Sequence, residues 1–147
     1  MSNFVDEYAR QLDTKGRIIL PAKLRDKLSA CVYITRSPSD PCLHLYTESE
    51  WAIMAEKLRA LPTTTDKNAA AFVRMFFGKA TSCEIDKQGR INIAQRLIDY
   101  AKLEKDVMLV GANTKIEIWD STTWNTYQED ISDDIVIDGI LQYGLNI

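Results

Sequence analysis

Histidine occurs once in this chain, at His44, and cysteine three times, at Cys31, Cys42 and Cys83, with no C-x-x-C spacing among them. A lone histidine cannot supply the paired imidazoles of a zinc hydrolase, and inside CLHLY it reads as a residue on the face of a β-hairpin. An odd number of unclustered cysteines argues against a disulfide framework and fits free thiols in a reducing cytoplasm. Gly16 and Gly89 stand alone rather than in a G-x-G-x-x-G or phosphate-loop pattern, so no nucleotide cradle is indicated. No apolar run approaches the ~20 residues of a membrane helix. The opening MSNFVDEYAR is too polar and acidic for a signal peptide. These shortages predict a cytoplasmic protein that is not an enzyme, holds no metal or cofactor and has no membrane partner.

Bases are missing from one end. All 18 lysines and arginines lie at or before Lys115. Glu117, Asp120, Glu129, Asp130, Asp133, Asp134 and Asp138 follow without a counter-charge. The net charge of −3 therefore hides a longer, basic portion. Within it Arg10, Lys15, Arg17, Lys23, Arg25 and Lys27 crowd one stretch against only Asp13 and Asp26. An acidic whole does not exclude a basic face that meets a polyanion. Hydrophobic residues at 46% suffice for one compact domain, or for two small halves that share a core.

What is present is written twice. LDTKGR starts at Leu12 and IDKQGR at Ile85, each an apolar residue, an aspartate, two variable residues, a glycine and an arginine. The same 73-residue offset superimposes Leu24 on Leu97, Tyr46 on Trp119 and Trp51 on Trp124. Such self-similarity marks a duplicated unit. In the first copy YARQLD and RIIL suit strands, with T-K-G as a tight turn between them. Asp13 can accept backbone amides two residues on, and Gly16 can take a positive φ. A turn needs no arginine at its exit, yet Arg17 and Arg90 both stand there.

Pro21 suits the first position of a helix AKLRDKLSA, and VYIT with CLHLYT forms a hairpin around SPSDP. The second copy repeats the plan with KATSCEID, RINIA, QRLIDYAKL, VMLVG and KIEIW. Thr47-Glu48-Ser49-Glu50 reads as a capping box before a stripe of Trp51, Met54, Leu58 and Leu61, stopped by Pro62. Asp66 or Asn68 can cap a connecting helix that carries Phe72, Val73, Phe76 and Phe77 and closes at Gly78. The chain thus divides into a first repeat with its following helix (8–61), a connecting segment (62–78), a second repeat with its helix (79–130) and an acidic tail (131–147). Neither copy alone has enough elements to bury its apolar face, so the two are expected to cover each other as a pseudo-two-fold unit.

LDTKGRIILPAKLR resembles the looped-hinge signature of the AbrB-type, swapped-hairpin DNA-binding fold. Two such copies, the second ending MLVGANTKIEIWDSTTW, are similar to the MraZ family of bacterial transcriptional regulators. The resemblance spans about residues 8–130. It implies an α+β fold of two tandem AbrB/SpoVT-like repeats, swapped-hairpin and double-psi-barrel-like, with flanking helices. It also implies double-stranded DNA as partner, short direct repeats in the promoter of the division and cell-wall gene cluster as target, autoregulation, and a location on the nucleoid. Ring-shaped homo-oligomers, octamers or dodecamers, are implied as well.

The family's motif falls on Asp13 and Arg17, and on Asp86 and Arg90. Its basic residues before the turn and on the helix fall on Arg10, Lys23 and Arg25 in the first copy. Lys15 lies within the first turn, and Lys87 and Arg96 offer a partial match in the second copy. The family's F-R-G near the start is replaced by Phe4-Val5-Asp6, and Ala94 stands where the first copy has Pro21. Cys83 and Ile98 take the places of Arg10 and Arg25, which predicts a stronger DNA contribution from the first turn. The alternative is an antitoxin-like or other protein-interaction module that uses the same fold without reading DNA.

Overall fold

The computed structural model describes residues 2–145. The first half comprises β1 (Glu7–Gln11), β2 (Arg17–Ile19), α1 (Ala22–Arg25), β3 (Cys31–Arg36), β4 (Leu43–Thr47) and α2 (Glu48–Arg59). α3 (Lys67–Val73), continued by a π-helical turn at Arg74–Gly78, connects the halves. The second half repeats the order with β5 (Thr81–Glu84), β6 (Arg90–Asn92), α4 (Gln95–Ala101), β7 (Asp106–Gly111), β8 (Ile116–Asp120) and α5 (Ser121–Asp130). α6 (Asp133–Leu141) follows. The class is mixed α+β on antiparallel sheets. No helix among the described residues is long and apolar enough to cross a membrane.

The halves trade strands. The main sheet has six strands in the order β1-β7-β8-β4-β3-β5. The first half's β1 therefore extends the second half's hairpin, and β5 extends the first half's. A separate ribbon of two strands pairs β2 with β6, again one from each half. Each TKG-type turn thus carries the chain from one sheet to the other and does not close a hairpin on its own strands. The exchange answers a shortage of partners, because a two-stranded hairpin is at best marginal in water.

One face of the main sheet and the ribbon enclose the core. Ile18 and Ile91 point inward from the ribbon and Leu24 and Leu97 from α1 and α4. They meet Ile34, Leu43, Leu45, Ile116 and Ile118, all fully buried. The opposite face carries two aromatic clusters. Tyr33 and Tyr46 meet Trp51 of α2 and Phe76 of the π-helical turn, and Cys42 and Trp119 meet Trp124 and Tyr127 of α5. Equivalent positions start the two outer helices. Thr47 Oγ1 accepts the Glu50 amide at 3.1 Å, and the Asp120 carboxylate accepts the Thr122 amide at 3.2 Å. Asp66 caps α3 through the amides of Asn68 and Ala69 at 2.8 and 3.2 Å.

Three local departures have physical causes. The helix expected over AKLRDKLSA shortens to Ala22–Arg25, and Lys27 and Leu28 then bond back three residues, to the carbonyls of Leu24 and Arg25. The polar start contributes a core residue, since Phe4 is 1% exposed and exchanges both backbone hydrogen bonds with Asn113. That strap lies so close to β7 that a Cβ on Gly111 would collide with the Val5 backbone. Asp6 adopts φ 74°, a left-handed conformation that aspartate tolerates better than most residues.

Candidate nucleic-acid interface

The two turns have nearly the same hydrogen bonds. Asp13 Oδ1 accepts the amides of Lys15 and Arg17, both at 2.9 Å, and its Oδ2 accepts Arg17 Nε at 2.7 Å. Asp86 Oδ1 accepts the amides of Gln88 and Arg90 at 2.9 and 2.8 Å, and its Oδ2 accepts Arg90 Nε at 2.7 Å. Gly16 and Gly89 reverse the chain at φ 80° and 78°. Backbone amides, Arg17's or Arg90's own first, hold each carboxyl below the usual aspartate range, and the guanidinium adds to the effect. The exit arginine is therefore part of the turn as well as its projecting charge. Nε is bound to aspartate in both turns, and Arg90 Nη2 also donates to Gln88 Oε1 at 3.4 Å, so each guanidinium is held in one orientation. Pinned guanidinium forks suit phosphate oxygens or guanine O6 and N7.

The ribbon sets both arginines on one surface. Its register is Arg17↔Asn92, Ile18↔Ile91 and Ile19↔Arg90. With Ile18 and Ile91 inward, alternation turns Arg17, Ile19, Arg90 and Asn92 to the opposite face. Arg17, Ile19 and Arg90 line one open cleft with Gln11, Asp13 and Lys105, and Glu104 adds an acid to its wall. Ile19 is 53% exposed between the two arginines. In the sequence Ile19 is masked by the aliphatic run RIIL to which it belongs. Two-residue periodicity, applied to that run, would have turned Ile19 outward.

The other candidate residues are distributed unevenly. Lys15 and Lys87 are exposed at the crowns of the turns. Arg10 folds back, donating Nη1 to the Ala9 carbonyl at 2.8 Å beside the Tyr8 ring. Lys23 lines a groove with Val5, Asp6 and Tyr8, and Arg96 Nη2 donates to the Ala80 carbonyl at 3.0 Å. Neither joins the cleft beside Arg17 and Arg90. Arg25 is placed differently from the expectation. It lies against Gly89, the second turn, where its side chain occupies the space a Cβ would need. The equivalent Ile98 lies over Gly16, its Cδ1 3.3 Å from where a Cβ would be. The cause is the interchange of halves. The Leu20 amide bonds the Gly89 carbonyl and the Ile93 amide bonds the Gly16 carbonyl, both at 2.8 Å, so each helix starts over the other half's turn. The thinner basic flank read for the second turn is thus supplied by the first half.

A family model described as "MraZ protein, putative antitoxin-like" matches residues 4–74 and 76–137.

Proposed function

Because the chain belongs to the MraZ family, we propose that it is a sequence-specific DNA-binding transcriptional regulator. The proposal extends to its fold, which we take to be of the swapped-hairpin, looped-hinge class. The observation that carries the reading is the pair of aspartate-tethered arginines, Arg17 and Arg90, on one outward ribbon face. A two-stranded ribbon fits the major groove, and a guanidinium fork held in place loses less freedom on binding guanine than a mobile one. Lys15, Lys87 and Arg25 supply phosphate contacts that set the register of the ribbon on the duplex. Ile19 offers an apolar contact of the kind that thymine methyl groups accept.

Ring-shaped homo-oligomers repeat the ribbon around a circle and convert modest single contacts into avidity. Short direct repeats in a promoter match that geometry, and the promoter of the division and cell-wall cluster, which controls the protein's own synthesis, is the proposed target. The two repeats and the connecting segment act as one presenting unit, with residues 131–147 as an acidic appendage on it. One observation favours the antitoxin-like alternative. The apolar side chains of α6, with Ile135 72% and Leu141 56% exposed, have the make-up of a docking element for another protein. Footprinting on DNA upstream of the gene, with scrambled competitor, separates the readings. Protection of repeated short boxes supports the regulator, and uniform or absent protection rejects it.

A further inference from the structure

Cys42, His44 and Glu117 converge on the outer face of the main sheet, where the first half's strands meet the second's. The sulfur, one ring nitrogen and one carboxylate oxygen lie within 4.8 Å of one another. Their meeting follows from the duplication. His44 and Glu117 hold the same position in the two halves and face each other directly across β4 and β8. Cys42, just before β4, packs with Trp119 and Trp124 on the same outer face.

Each member of the pair is steered by the aromatic residue two positions on. The Tyr46 hydroxyl is 3.3 Å from His44 Nδ1, and Trp119 Nε1 donates to Glu117 Oε1 at 3.1 Å. Those bonds occupy the far edge of each side chain and turn His44 Nε2 toward Glu117 Oε2, 3.6 Å away. That separation is too long for a hydrogen bond. His44 Nε2 is buried without a hydrogen-bond partner among the described residues, on a side chain only 9% exposed. A buried polar atom left unpaired in this way calls for an explanation.

We propose that Cys42, His44 and Glu117 bind a divalent transition-metal ion of the zinc class, with water as the fourth ligand. A thiolate, an imidazole and a carboxylate are donors that such an ion accepts together. Tyr46 and Trp119 are the outer partners that orient ligands of this kind. The cleft bordered by Tyr46, Glu50 and Lys115 reaches the histidine side of the site. Bonds of ~2.0–2.3 Å in a tetrahedron place donors roughly 3.5 Å apart, so the side chains draw in by about an ångström on binding. The ion takes lone pairs from Cys42 Sγ, His44 Nε2 and Glu117 Oε2. The thiol proton leaves to solvent, and the imidazole stays neutral with Nδ1–H donating to Tyr46 Oη. Lys115 holds the place of Cys42 in the second half, so the pseudo-symmetry yields one site per chain and not two. His44 does lie in a β-hairpin and Cys42 is a free, buried thiol, and the proposal adds a ligand role to both.

Cobalt(II), added to the reduced, metal-stripped full chain, is the direct probe. One equivalent should produce tetrahedral absorption with a thiolate-to-cobalt charge-transfer band, and zinc should bleach it and raise the thermal midpoint. Cys42→Ser should abolish the band, while Cys31→Ser and Cys83→Ser should keep it. Tyr46→Phe, which leaves all three ligands in place, should weaken cobalt binding about tenfold with the band shape unchanged. His44→Gln and Glu117→Gln, checked for native circular dichroism, should weaken it further. A wild-type titration without a charge-transfer band overturns the proposal, as does a band that survives in Cys42→Ser.

Discussion

The two turns agree where backbone chemistry is concerned and differ where another half reaches in. In both, aspartate to arginine Nε measures 2.7 Å, and the arginine side chains are 29% and 27% exposed. Over the first turn lies Ile98, a hydrocarbon; over the second lies Arg25, a cation. On the ribbon face Ile19 in one strand corresponds to Asn92 in the other. Duplication has thus kept the part that shapes and aims the arginine, while divergence has gathered in the residues beside it. The residue packed over each turn glycine comes from the opposite half, so neither copy can be judged from its own sequence.

The largest effect expected from this comparison falls on the arginines. Arg17→Ala and Arg90→Ala should each lower specific DNA affinity about 10- to 100-fold, and by similar factors, as loss of one bidentate contact implies. Fluorescence anisotropy on the protected fragment measures both, and a large imbalance would break the equivalence of the turns. Arg25→Ile makes the second turn resemble the first. It should cost a few-fold in affinity and reduce the slope of log K against log salt by about one. Coupling sharpens this test: Arg25→Ile should be additive with Arg17→Ala and non-additive with Arg90→Ala, because only the second pair shares a turn.

A smaller effect concerns the glycines. Both Gly16→Ala and Gly89→Ala force a side chain into positive φ, a loss of roughly 1 kcal/mol each. The Gly16 site is bordered by the Ile93 carbonyl oxygen at 3.1 Å, which cannot swing aside, whereas the Gly89 site is bordered by the movable Arg25 side chain. Urea midpoints should fall more for Gly16→Ala, and the DNA salt slope should change more for Gly89→Ala. Acid affects both turns alike. Depressed aspartate pKa values mean that the tether is fully present above the unfolded value of about 3.9 and is lost as pH falls through the lower, folded value. The Arg17 and Arg90 Nε–H resonances should therefore stay unchanged from neutral pH down to the ordinary aspartate range and shift together below it. The smallest effect is expected from the acidic end. Removing residues 132–147 should raise non-specific DNA affinity at low salt, a difference that fades above roughly 0.15 M, where the Debye length is about 8 Å.

Local signals in the sequence translated well. The turn glycines, the caps at Thr47 and Asp66 and the hairpin over SPSDP are short-range chemistry, and each lies where its residues indicate. What stayed hidden was non-local. Nothing within YARQLD states that its strand pairs with Asp106–Gly111 of the other half, and so nothing states that Arg25 crosses to Gly89. A linear self-comparison aligns Arg25 with Ile98 but does not say which turn each one covers. His44 and Glu117 align at the same offset of 73 residues, yet only the β4–β8 register turns that correspondence into a contact. The core role of Phe4 is not legible in the sequence, because a single aromatic in a polar strap carries no periodicity.

The most direct test of the paired-arginine ribbon is a footprint of the wild-type protein and of the Arg17→Ala/Arg90→Ala double variant on the same upstream DNA, at matched salt and with scrambled competitor. Wild type should protect repeated short boxes, and the double variant should protect none while keeping the wild-type circular dichroism and oligomer size. Protection of the same boxes at the same concentration by the double variant would contradict the account.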